Sequence, residues 1–289
     1  MSITNALIAS TTAQLYEWSL RKIPEDTKVA LQQAERSERN EVGRKTIRLM
    51  LDSAQAAEDQ QHFVCSDSGV PVYFVEIGTG AVLPPRFKQS IEDGFDHLVA
   101  TINPPLLTHV TNPLTNERGH KGKGMPLVTY DLVDDVDYID ITCSPKALGS
   151  GRWAALEIFS FPTLETIEKF VLETVIKAGS QPCPPIVVGV GIGGSFDIAA
   201  RMSKHATLRP FGTQNPEPLL ASMEARLLAA VNQTGFGPMG TGGDSTAMQV
   251  SIEYCAGHGF TPVAVSFNCW INRRTKARIH NDGRVERLA

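Results

Sequence analysis

Residues Pro184-Pro185-Ile186-Val187-Val188-Gly189-Val190-Gly191-Ile192-Gly193-Gly194-Ser195-Phe196-Asp197 govern how the rest of the chain is read. The branched aliphatic residues from Ile186 to Val190 predict a buried strand, the glycines a turn, and the pattern from about Ser195 to Lys204 a helix. A strand that feeds straight into a helix is the building unit of an α/β architecture. Working outward, a helix is expected over Leu164–Ala178, with Thr163 as N-cap, an Ile167, Phe170, Val171 and Val175 stripe, and Gly179 as its stop. Another helix is expected over Glu217–Asn232, and strands over Val70–Ile77, Leu127–Val133, Val136–Thr142 and Pro262–Phe267. The first sixty residues show helical spacing at Ile3, Leu7, Ile8, Leu15 and Trp18 and again at Ile47, Met50, Leu51 and Ala54. Between these stretches Pro24 begins a new helix, with Glu25 and Asp26 suited to its dipole. The expected fold is α/β, a mixed sheet flanked by helices behind a helical N-terminal segment. It is read as one domain over residues 1–289, helical over 1–60 and mixed over 61–289, since no repeat or linker interrupts it.

The 289 residues are 42% hydrophobic and 20% charged, which excludes a disordered, collagen-like or disulfide-scaffold chain. With 27 basic against 31 acidic residues, the formal charge of −4 offers no surface for nucleic acid or an anionic membrane. No apolar run is long enough to span a bilayer, and the first twenty residues lack the features of a signal peptide, so a cytoplasmic location is expected.

The run Gly189 to Gly194 contains G-x-G-x-x-G in the right place for a dinucleotide fingerprint. No second strand ending in an acidic residue follows, however, which leaves a tight turn or an anion-binding helix start. A second glycine-rich stretch, Gly235 to Thr246, has no Walker lysine. Its amides could hold a carboxylate at a turn entering a helix after Asp244, or Asp244 could simply cap that helix. Pro145 to Gly151 forms a third loop at a strand end.

Five widely spaced cysteines without a C-x-x-C fit neither a disulfide framework nor a zinc ribbon. Cys143 and Cys255 read as structural filler, whereas Cys65, Cys183 and Cys269 each sit at a strand end, where distant segments can converge. His258 lies in a loop, between a helix and the Cys269 strand on this reading. It is either solvated or a proton donor. Asp67 either stabilises the Cys65 turn or orients a catalytic histidine. The run Arg273-Arg274-Thr275-Lys276-Ala277-Arg278 reads as an exposed face, with a subunit contact or a substrate carboxylate clamp as alternatives.

Five motifs occur in order: Cys65-Ser66-Asp67-Ser68-Gly69 before a strand, Cys183 before the glycine run, Leu208-Arg209-Pro210, Gly237-Pro238-Met239-Gly240-Thr241-Gly242-Gly243, and Cys269-Trp270-Ile271-Asn272-Arg273-Arg274. The series resembles the class I, iron–sulfur fumarate hydratase family, most nearly the α subunit of the two-subunit L-tartrate dehydratase and fumarase enzymes. The resemblance implies a hydro-lyase acting on a 2-hydroxy acid such as malate or tartrate. It implies a 4Fe-4S cluster held by Cys65, Cys183 and Cys269, one iron being left open as Lewis acid. It also implies His258, assisted by Asp67, in proton transfer, and Ser66, Lys146 and Gly149 toward the substrate. A β subunit carrying the rest of the active site, in an α2β2 assembly, is implied as partner. Three substrate-side positions depart from the family pattern: Ser66 stands for glutamine, Leu107 for an arginine, and Ala147-Leu148 for two glycines. The departures point to a different hydroxy acid, or alternatively to a noncatalytic or regulatory cluster-bearing subunit. A dinucleotide-dependent oxidoreductase is a third, more distant reading.

Overall fold

The computed structural model describes residues 2–146 and 148–288, with the side chain of Leu148 excepted. In chain order its elements are α1 (Asn5–Arg21), α2 (Glu25–Ser37), α3 (Glu41–Asp59), β1 (Val72–Gly78), α4 (Phe87–Thr101), β2 (Val110–Thr111), β3 (Arg118–Gly119), β4 (Leu127–Val133), β5 (Tyr138–Cys143), α5 (Leu148–Gly151), β6 (Ala155–Ser160), α6 (Leu164–Ala178), β7 (Ile186–Gly193), α7 (Phe196–Ala206), α8 (Pro218–Gln233), β8 (Ala247–Cys255), β9 (Phe260–Asn268), β10 (Thr275–His280) and β11 (Val285–Arg287). The α/β class, the helical beginning and the mixed pairing expected from the sequence are all present. The contacts divide the chain into two compact units, one of residues 1–24, 54–147 and 273–289 and the other of 25–53 and 148–272.

The first unit is built on a five-stranded sheet of order β11-β10-β5-β1-β4, parallel only between β1 and β4. Its core joins Ile8, Leu15, Tyr16 and Leu20 of α1, Ile91, Phe95 and Leu98 of α4, and Tyr73, Val75, Ile139, Ile141 and Ile279 of the sheet. Each such side chain, fully buried, contributes on the order of 1.5–3 kcal/mol. Helix α4 was not foreseen. At Gly94, its central residue, a Cβ would meet the Ala9 carbonyl of α1, so the lack of one lets the helices touch. Strands β10 and β11 replace the expected exposed basic face. Arg273 and Arg274 are buried, while Lys276 and Arg278 point at Asp140 on β5.

The second unit carries a four-stranded sheet of order β6-β9-β7-β8. Val188 and Val190 of β7, with Val263, Val265 and Phe267 of β9, meet Val171, Val175, Met223, Leu227 and Val231 of α6 and α8. On the opposite face Gly189 and Gly191 lie against α7, where any Cβ would collide with the Ser203 and Ala199 carbonyl oxygens. Gly189 and Gly191, the first two glycines of the fingerprint-like run, are therefore packing residues inside a strand, with no phosphate cradle needed to explain them. Helix α6 begins and ends as its sequence predicts: Thr163 accepts from the Thr166 amide and Gly179 closes it at φ 56°. The chain after Asp244 enters strand β8, which corrects the expected helix and the N-cap role of Asp244.

Candidate functional site

In the first unit the Cys65 turn is fixed from below. Val64 donates to the Leu20 carbonyl, and the Tyr16 hydroxyl, which burial keeps protonated, donates to the Gly69 carbonyl at 2.8 Å. Asp67 Oδ1 accepts from the Gly69 amide at 3.0 Å, which is the turn-stabilising role open to it. His109, which sequence reasoning did not single out, places Nε2 at 3.8 Å from that carboxylate. Val70 and Lys146 exchange two main-chain hydrogen bonds of 3.0 and 2.9 Å, so the turn and the Lys146 loop form one surface. Ser66 is exposed on it, whereas Ser68 is buried. Arg273 reaches in from the far end of the chain and donates from Nη2 to the Asp67 carbonyl at 2.6 Å.

In the second unit Cys183 precedes β7 and Cys269 follows β9. The antiparallel register Val187↔Asn268 brings them to the same end of the sheet. The Trp270 amide donates to the Cys183 carbonyl at 3.1 Å, the Asn272 amide to the Cys269 carbonyl at 2.9 Å, and Asn268 Nδ2 to Asn272 Oδ1 at 2.9 Å. Cys183 itself takes φ 58°, a left-handed conformation unusual for a residue with a Cβ and a mark of a constrained site. Cys65, Cys183 and Cys269 are of intermediate exposure and form no disulfide. Cys143 is fully buried beside Tyr73, as filler should be, but Cys255 is exposed at the end of β8. Among the described residues no three His, Cys, Asp or Glu side chains surround a single-ion site. A cluster makes a different demand, because each cysteine meets its own iron.

His258 is exposed in the turn between strands β8 and β9, not after a helix. Its ring lies parallel to that of Phe260, 8° between planes and 5.3 Å between centroids, and the Phe260 amide donates to Nδ1 at 3.2 Å. In the neutral ring the proton is therefore on Nε2, which is left free to exchange it. The glycine-rich 235–246 loop already has its carboxylate: Glu38 accepts from the amides of Asn40, Asp244 and Ser245 at 2.9–3.0 Å. Arg39 in turn grips Asp244 with two guanidinium hydrogen bonds and one from its main-chain amide, holding that carboxyl down at about 2.

The family model for fumarate hydratase (Fumerase) matches residues 9–278. The chain belongs to the fumarate hydratase family. It is accordingly a hydro-lyase. A chain of Methanocaldococcus jannaschii bearing the name of an L(+)-tartrate dehydratase subunit alpha is 36% identical over 286 residues, 96% of this chain and 99% of that one. The L(+)-tartrate dehydratase subunit alpha of Escherichia coli strain K12 is 34% identical over 278 residues, 93% of this chain and 89% of its own. Against the fumarate hydratase pattern, Leu107 is 52% exposed on the first unit, an apolar group where the family resemblance expects a cation. Ala147 lies outside the described residues. Gly149 is open, an added Cβ meeting only the Gln181 carbonyl at 4.0 Å, so its lack of a side chain leaves space without serving packing. Among the described residues no helix is long and apolar enough to cross a membrane.

Proposed function

We propose that this fumarate hydratase family member is the α subunit of an iron–sulfur hydro-lyase that adds water to, or removes it from, a 2-hydroxy (di)carboxylic acid. Cys65, Cys183 and Cys269 are its cluster ligands. The observation that carries this is the Trp270–Cys183 hydrogen bond, which holds the half-buried Cys183 and Cys269 at one sheet end. The donor set suits the group: three cysteines outside any disulfide, whose thiolate forms bind iron well. When bound, a three-cysteine cluster supplies an open iron that polarises the substrate C–O bond. Protons are the task of this chain's own residues. His258, with its ring plane set by Phe260 and Nδ1 accepting from the Phe260 amide, presents Nε2–H as the donor that hydrogen-bonds the departing hydroxyl in dehydration and the entering water in hydration, and so assists proton transfer there. Asp67 assists it, and Ser66, Lys146 and Gly149 face the substrate; Leu107 in place of an arginine shifts the preference toward an acid less charged or bulkier at one end.

The relatives are named as α subunits and match this chain over nearly their whole length. A separate β subunit in an α2β2 assembly, in the cytoplasm, is therefore part of the proposal. The test is anaerobic co-expression with the β chain, iron and sulfide analysis, and a hydration screen over fumarate, mesaconate and related acids. Cys183→Ser and Cys269→Ser are each expected to abolish cluster binding and turnover. A loaded cluster with no turnover on any acid would sink the catalytic reading and favour the noncatalytic subunit.

A further inference from the structure

Arg273 is an anomaly in the first unit. Its side chain is buried at 5% exposure, yet none of its recorded partners is a carboxylate, and its Nη1 meets no hydrogen-bond acceptor among the described residues. Three residues beyond Cys65, Ser68 is 1% exposed, and its hydroxyl, beside the Tyr16 phenol, meets no partner in hydrogen-bonding geometry among the described residues. A buried guanidinium is expensive unless it is paired, and a buried hydroxyl is expensive unless it is bonded. Both groups belong to one small region, because Arg273 Nη2 is already bonded to the Asp67 carbonyl between them. Two unmet donors beside one cysteine turn, one of them cationic, match an anion.

We infer that Arg273 Nη1 and Ser68 Oγ form a built-in anion site beneath the Cys65 turn, and that the anion is the sulfur framework of the cluster bound through Cys65. The inference rests on the cluster assignment proposed above. Arg273 is then a positioning residue, its single bond to Asp67 aiming the guanidinium while its free N–H and its charge hold the cluster's negative sulfur. N–H groups and positive charge near a cluster stabilise its reduced form, so the site also raises the reduction potential.

The experiment uses the anaerobically purified protein and the same preparation stripped of iron. Iron and sulfide are first counted in the wild type; their absence would overturn the cluster assignment and take this inference with it. Arg273→Met and Ser68→Ala are then compared by the rate of iron release to a chelator, the cluster midpoint potential, and the melting temperature of the loaded and stripped forms. The expected result is iron release at least tenfold faster in Arg273→Met and several-fold faster in Ser68→Ala, with a lowered midpoint potential in both. The stripped Ser68→Ala form should melt no lower than the stripped wild type, since it loses an unmet donor, whereas Arg273→Met, which also loses the Nη2 bond to the Asp67 carbonyl, should fall further below the wild type when loaded than when stripped. Arg273→Lys, which keeps the charge, should recover part of the potential. Equal destabilisation of the loaded and stripped forms, with iron release unchanged, would make Arg273 a brace for the turn and overturn the inference. An unchanged cluster with malate affinity weakened tenfold would reassign the anion to a substrate carboxylate, which also overturns it.

Discussion

Glu38 and Arg273 are both charged side chains withdrawn from water, at 3% and 5% exposure, and the chain treats them in opposite ways. The two oxygens of Glu38 are answered by the amides of Asn40, Asp244 and Ser245 within its own unit, with Gly43 and Gly243 leaving room for the carboxylate to approach. Arg273 has one backbone acceptor and one terminal nitrogen left over. The difference separates an ion that the fold completes from one it leaves open. A completed ion belongs to folding, whereas an open one draws a penalty until something else arrives.

The largest predicted effect tests the completed case. Removing Glu38 leaves the Asp244 and Ser245 amides without acceptors inside the structure, so Glu38→Ala should lower stability by about 3 kcal/mol. Glu38→Gln, which keeps one accepting oxygen, should lose roughly half as much. Denaturant unfolding checks both, and the loss should be the same whether or not iron is bound. A loss confined to the iron-loaded protein would break the contrast with Arg273.

Asp140 is an intermediate case, completed by side chains. Burial opposes its ionisation, but hydrogen bonds from Arg278 at 2.8 and 3.0 Å and from Lys276 outweigh this and hold its carboxyl below the usual range. Because the folded value lies under the unfolded one, near 3.9, the stabilisation is whole above about pH 4 and is lost as pH falls through the folded value. Asp140→Asn should cost about 2 kcal/mol at pH 7, and its stability should converge on the wild type as the medium is acidified. A gap that stays constant down to pH 2 would show that the ion pairs contribute nothing.

How legible each of these features was in the sequence depends on the range over which its physics acts. Thr163, Gly179 and the stripe of α6 could be read in place, because capping and helical periodicity are local. The strands with dense branched residues were legible for the same reason, while β6, β8, β10 and β11 were not. β6, read Ala155-Leu156-Glu157-Ile158-Phe159-Ser160, is largely exposed at the sheet edge, and β10 carries Lys276 and Arg278, whose charges are answered only across the sheet. The chain crosses between units after Pro24, Ser53, Ala147 and Asn272, and none of these points carries a compositional signal. At the site, Cys183 and Cys269 stood out as strand-end cysteines, and their pairing needed only the β7–β9 register. His109 and Glu38 were invisible as site residues, and Arg273 read first as part of an exposed face, with a carboxylate clamp as an alternative. Their meaning lies in partners tens to hundreds of positions away, such as Asp67 for Arg273, and the same charges spell an exposed face when only neighbours are considered.

The smallest effect sharpens the assignment at the Cys65 turn. If Arg273 is reserved for an anion, something else must hold the turn in the absence of iron, and the buried Tyr16 hydroxyl on the Gly69 carbonyl at 2.8 Å is that restraint. Tyr16→Phe leaves the ring packed against Phe95 at a centroid distance of 6.0 Å and removes only the donor. One neutral hydrogen bond to a buried carbonyl corresponds to about 1 kcal/mol, so the stripped protein should lose about that much in denaturant unfolding. Iron release should change far less than in Arg273→Met, because the turn is loosened while the charge stays in place. Were Tyr16→Phe to release iron as fast as Arg273→Met, cluster retention would depend on the shape of the turn and not on the cation beneath it.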